Sequence, residues 1–176
     1  MTGIWLVTNK TQERFLRKKT VPFSFSGRGE PQHEGKAFTR KEMESLLKKM
    51  YAAMKAANGV GLSANQIGLP YQLFVAAVPD AQGRQKLYAV LNPKLEKAGL
   101  EKSTAEEGCL SVPGKFGEVT RPAQVTVSGC DKNGKAVKIK AWGLLARVFQ
   151  HEIDHLNGAL FIDKARNISE AAASKT

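Results

Sequence analysis

The sequence predicts an α+β fold, with antiparallel β-sheets packed around a central helix that carries the H-E-x-x-H string of His151, Glu152 and His155. Three observations lead there. Short apolar runs follow one another in hairpin order. Two stretches repeat their apolar residues at helical spacing. No regular alternation of strand and helix marks βαβ units. Residues 1–176 are read as a single catalytic-sized unit, with a polar, frayed tail from about 165.

Residues 24–36 form a polar, glycine-bearing loop after an N-terminal arm. The first clear helix then starts at a capping box, Thr39 with Glu42, in which each side chain satisfies the other's orphan amide. Met43, Leu46, Leu47, Met50, Tyr51 and Met54 give it one apolar face, read as core, and Asn58-Gly59 ends it. Strand-like runs occupy 72–78, 87–92, 124–128 and 136–142. Pro79 to Arg84 reads as one hairpin turn and Asn133-Gly134 as another. A last helix covers about 143–156, closed by Asn157-Gly158.

Charged residues make up 24% and hydrophobic residues 42%, the balance of a soluble globular protein. No apolar run reaches the length of a membrane span, so no membrane association is expected. The apolar patch Ile4–Val7 is too short for a signal-peptide core, which keeps the chain in the compartment where it is made. Cys109 and Cys130 are too few for a disulfide framework, and in a reducing cytosol either is available as ligand or nucleophile. The net charge of +11 is scattered and lacks the interleaved aromatics of a single-strand binder. It is read first as a solvating surface, with a non-specific affinity for nucleic-acid-rich surroundings in second place. Nothing marks an obligate interface, so a monomer is expected.

The chemistry concentrates in "FQHEIDHLNG", residues 149–158. On a helix His151 and His155 stand one turn apart on the same face, so two imidazole nitrogens can meet one ion. Glu152, next to the first, can reach a water bound there. Leu144 and Val148 lie on roughly the same side, which puts the histidines in a buried face or pocket wall. Asp154 and Gln150 are candidates for bonding the ligands from outside, or plain helix surface. A catalytic site needs a third protein ligand and an open fourth position. His33 sits in the polar loop and reads as exposed, so Cys109 in "EEGCLSVPG" is the better third ligand, and Cys130 reads as a small packed residue. Nitrogen and sulfur donors alone point to zinc.

Three separated segments resemble peptide deformylase: "GVGLSANQ" (59–66), "EGCLS" (107–111) and "QHEIDHLNG" (150–158). "FLRKKTVPF" is similar to that family's N-terminal arm, so the resemblance runs from about 12 to 164. It implies hydrolytic removal of the formyl group from the N-formylmethionine of newly synthesised polypeptides. It further implies one divalent ion held by Cys109, His151 and His155, with ferrous iron native and zinc, nickel or cobalt able to replace it. Glu152 would be the general acid/base, and the Gln66 amide and Leu110 N–H would donate to the oxyanion. Val60, Leu144 and Val148 would wall an apolar pocket for the methionine side chain, and Gly61 and Gly108 would let substrate backbone pair with the protein's. Glu107 with Arg121 would brace the Cys109 loop. Ser63 stands where many members have alanine, a change expected to be neutral. The resemblance implies a bacterial-type cytoplasm or an organelle. A short polar tail in place of some members' ribosome-docking helix leaves only weak ribosome contact through basic surface.

Three other readings compete, one of which keeps the fold and turns it to another formylated or acylated amine. An H-E-x-x-H zinc peptidase needs a further ligand beyond residue 155, where only the acids Asp163 and Glu170 follow. A non-catalytic, RNA-binding module with structural zinc needs Cys130 as fourth ligand and leaves Glu152 and Gln66 idle.

Overall fold

The computed structural model describes residues 3–25, 38–80 and 82–170; His33 and most of the polar loop lie outside them. A short helix not foreseen from the sequence, α1 (Lys10–Leu16), opens the chain. The Asn9 side chain caps it by accepting from the amides of Thr11 and Gln12. With only Leu16 buried, α1 has no periodic stripe to betray it. The second helix, α2 (Arg40–Ala56), begins at the expected capping box. Thr39 Oγ1 accepts from the Glu42 amide at 3.2 Å, and Glu42 Oε2 accepts from the Thr39 amide at 2.9 Å. Met43, Leu46, Leu47, Met50 and Met54 are its buried face. Each such side chain is worth roughly 1.5–3 kcal/mol of burial.

Among the described residues eight strands follow, all paired antiparallel. β1 (Gly61–Ser63), β2 (Leu73–Pro79), β3 (Gln85–Ala98), β6 (Gln124–Cys130) and β7 (Ala136–Trp142) form one sheet in the order β1-β2-β3-β6-β7. β4 (Lys102–Cys109), β5 (Val112–Pro122) and β8 (Arg166–Glu170) form a second, in the order β4-β5-β8. The two predicted hairpin turns share one device. Asp80 Oδ1 accepts from the amides of Gln82 and Arg84, and Asp131 Oδ1 from those of Asn133 and Lys135. Gly83 and Gly134 supply the left-handed residue each turn requires, at φ +77° and +73°.

The third helix, α3 (Gly143–Leu156), lies between the sheets and carries the histidines, as the sequence predicted. Strand β2 shows how it is held. Leu73 and Val75 pack with the α2 face, while Phe74, Ala76 and Val78 pack with Ala146, Val148, Phe149 and Leu156 of α3. A strand buried on both faces reads as the unbroken apolar run seen at 73–78, within the strand-like stretch 72–78. On the other side of α3, Val112 and Val119 of β5 join Leu160 and Phe161 in a third, smaller core.

One expectation needs correction. The segment after 164 does not fray at once: Arg166–Glu170 pairs with β5, Phe116 opposite Ser169 and Glu118 opposite Arg166. All five residues are exposed, so main-chain hydrogen bonding rather than burial places them, and no apolar alternation marks them in the sequence.

Candidate metal centre and its cleft

Cys109 reaches the histidines through an irregularity. The β4–β5 register shifts between Gly108 and Cys109, a bulge that re-aims the side chain at the end of the strand. Its Sγ lies 3.1 Å from Nε2 of His155, which is 1% exposed. The donor atoms of Cys109, His151 and His155 all lie within 4.8 Å of one another. Burial pushes the Cys109 thiol up, but the neighbouring imidazoles of His155 and His151 outweigh it and hold the thiol at about 5. Burial pushes His151 down, yet its hydrogen bonds to Cys109 and Glu107 prevail and carry it to about 10. The direction of the Cys109 shift favours the thiolate, the form a metal binds, and a divalent ion on the same atoms would take the place of the proton shared there. The donor set therefore fits one metal ion.

Glu107 organises the surroundings. Its Oε2 lies 3.0 Å from His151 Nδ1, fixing the ring from behind. The expected Arg121 pair is present, Nε to Oε1 at 2.6 Å and Nη2 to Oε2 at 2.9 Å. Arg147, which sequence reasoning passed over, adds Nη1 to Oε1 at 2.7 Å and also donates to the carbonyls of Val119 and Ser103. Its signal was available: it stands four residues before His151, on the same helical face. Asp154 acts through Arg121, at 2.8 Å, and not on a histidine. Gln150 donates to the carbonyls of Pro122 and Ala146, tying α3 to the end of β5.

A cleft of about 550 Å³ opens over this centre. Cys109 and His151 line it, with Glu152 and Gln66 beside them, while His155 lies beneath. Val60 and Leu144 stand on its rim, 44% and 50% exposed, and buried Val148 forms wall. Leu110 lines it from the turn after Cys109. Gly61 is there because nothing larger fits: a β-carbon would collide with Glu152 Oε1. Gly108 likewise has the Phe116 ring where a β-carbon would point, 2.8 Å away. Gln66 is oriented by the Ser63 amide, which donates to its Oε1 at 2.8 Å, leaving Nε2 to donate to Ser111 Oγ at 3.1 Å and approach Cys109 Sγ at 3.7 Å. Burial pushes the Glu152 carboxyl up, and the opposing pull of His151, His155 and the Ser63 hydroxyl does not undo it.

The rival ligands lie elsewhere. Asp163 is taken by Arg17 and the Leu160 amide, and Glu170 is exposed in β8 beside Lys115. Cys130 pairs with Leu91 and Ala136 in β6 and packs against the α2 core. Among the described residues the ligand group has three members, which leaves a coordination position toward the cleft.

A thiolate and two imidazoles one helical turn apart, with a buried carboxylate between them and an open cleft above, make up a mononuclear metal-hydrolase site. The polypeptide deformylase family matches residues 29–171. The chain belongs to that family. It is 49% identical to the peptide deformylase of Halothermothrix orenii over 131 residues, 74% of this chain and 82% of that one. With the peptide deformylase of Carboxydothermus hydrogenoformans it shares 51% over 124 residues, 70% and 77% of the two chains. The crystal structure of peptide deformylase from Thermotoga maritima superposes with a TM-score of 0.77 at 32% identity, covering 94% of this chain and 98% of that one.

Proposed function

We propose that the chain removes the formyl group from N-formylmethionine at the start of newly made polypeptides, through the residues that converge on the cleft. The observation that carries this reading is the meeting of Cys109, His151 and His155 within 4.8 Å beneath an open cleft lined by Glu152. Cys109, His151 and His155 would hold the ion, ferrous iron in this proposal, which when bound would supply Lewis acidity and a water of pKa roughly 7. Glu152 takes the proton of the attacking water and returns it to the departing amine, a task suited to a carboxyl whose pKa is raised. The Gln66 Nε2 has two protons: one goes to Ser111 Oγ at 3.1 Å, and the other, in a long 3.7 Å contact with Cys109 Sγ, is the one exchanged for the developing oxyanion, together with the Leu110 N–H. One such donor is worth about 2.7–4 kcal/mol of barrier. Val60, Leu144 and Val148 take the methionine side chain, and Gly61 and Gly108 admit its backbone between β1 and β4. The +11 surface supports a weak, salt-sensitive attraction to ribosomal RNA.

The test is formate release from formyl-Met-Ala-Ser by protein loaded anaerobically with ferrous iron, beside Glu152→Ala. Rapid turnover that disappears in the variant while the metal stays bound is the expected result. A fully loaded wild type that releases no formate overturns the reading.

A further inference from the structure

Ser63 closes β1, its side chain is 0% exposed, and it touches both polar groups to which the reading above gives a part in the reaction. Its backbone N–H orients Gln66. Its hydroxyl lies 2.6 Å from Glu152 Oε2 and 3.0 Å from the Glu152 carbonyl oxygen. A hydroxyl has one proton, and the short, charge-assisted contact to the carboxylate claims it.

The two oxygens of Glu152 are therefore unlike. Oε2 is tied back to β1, whereas Oε1 faces Gly61 at the cleft, close enough that a β-carbon there would run into it. The terminal torsion of a glutamate is broad and roughly two-fold, so burial alone does not choose which oxygen looks outward. A directed hydrogen bond does.

We propose that Ser63 is a positioning residue: its hydroxyl anchors Oε2 of Glu152 so that Oε1 is the oxygen presented to the reacting atoms. This rests on the deformylase reading. Its effect falls on the chemical step and not on substrate capture, because Ser63 is fully buried behind Glu152 and does not line the cleft. Merely satisfying a buried polar group would show in stability and leave turnover alone.

Alanine at 63 was expected from the family resemblance to be neutral; the Ser63 Oγ contact with Glu152 Oε2 at 2.6 Å reverses that expectation for this chain. Ser63→Ala deletes one atom and leaves the ligands untouched. On formyl-Met-Ala-Ser, with ferrous enzyme, its kcat should fall about tenfold at unchanged KM and metal content, the size expected when a catalytic group is loosened and not removed. Its crystal structure should show the Glu152 carboxylate in more than one orientation. Wild-type kcat in the variant, or a loss that sits in KM or tracks lost metal, overturns the proposal and leaves the deformylase reading standing, with Glu152→Ala inactive beside it. A wild type without turnover removes both.

Discussion

Arg121 and Glu107 clasp each other through two parallel hydrogen bonds, with side chains only 4% and 5% exposed. Burial pushes the Glu107 carboxyl up, but Arg121 foremost, then His151, holds it far below the usual carboxylate range. Removing one partner from such a pair strands the other's charge. Arg121→Met should cost about 3–5 kcal/mol in urea unfolding of the metal-loaded protein. An unchanged midpoint would mean that Arg147 alone keeps Glu107 satisfied.

The two cysteines should separate cleanly. Cys109→Ser is expected to purify with little or no metal, because it loses the thiolate that faces His155. Cys130→Ser, in a strand among packed apolar neighbours, should keep a full equivalent. Metal-to-protein ratios by elemental analysis decide it, and loss in both variants would revive a four-ligand structural site.

Gly61→Ala places a methyl against Glu152 Oε1 and, at 3.0 Å, against Val148 Cγ1. The carboxylate must move, and about a hundredfold loss of kcat/KM with metal retained is expected. Steady-state kinetics beside elemental analysis would register it; wild-type turnover would show that the carboxylate has room to spare.

Tyr51 offers a pH test remote from the metal. Its hydroxyl donates to the Tyr88 carbonyl at 2.5 Å, and burial pushes the phenol from 10.0 up to about 12. The folded protein therefore keeps this proton where the unfolded chain has already released it. The stability contributed by the neutral phenol is complete below pH 10 and is lost as pH rises through about 12. Urea midpoints of wild type and Tyr51→Phe should accordingly converge over that window, and a constant difference would disprove the linkage.

What could be read from the sequence was whatever is set locally. Helix α2 was legible because Thr39 and Glu42 cap it and its apolar residues recur every third or fourth position. The metal helix was legible because His151 and His155 lie one turn apart. Strand β4, "KSTAEEGC", was not: Lys102 to Glu106 are exposed on both faces, so alternation carries no signal there. The role of Ser63 was hidden for another reason. Its partner stands 89 residues away, and only the packing of β1 on α3 brings them together. The Glu107–Arg121 pair was the exception, proposed from charge beside a motif and found in place.

The cleft runs between β1 and β4, each the last strand of its sheet, and each bordering the opening with a glycine, Gly61 and Gly108. A terminal strand elsewhere on a protein invites unwanted pairing. Under the reading proposed above, the same open edges would take a guest's backbone and leave its side chains beyond the first residue unread. Amide and carbonyl groups are the part of a polypeptide that never varies. A protein that grips its guests by them could serve an entire proteome with one site, and would need side-chain discrimination only where Val60, Leu144 and Val148 meet the first residue.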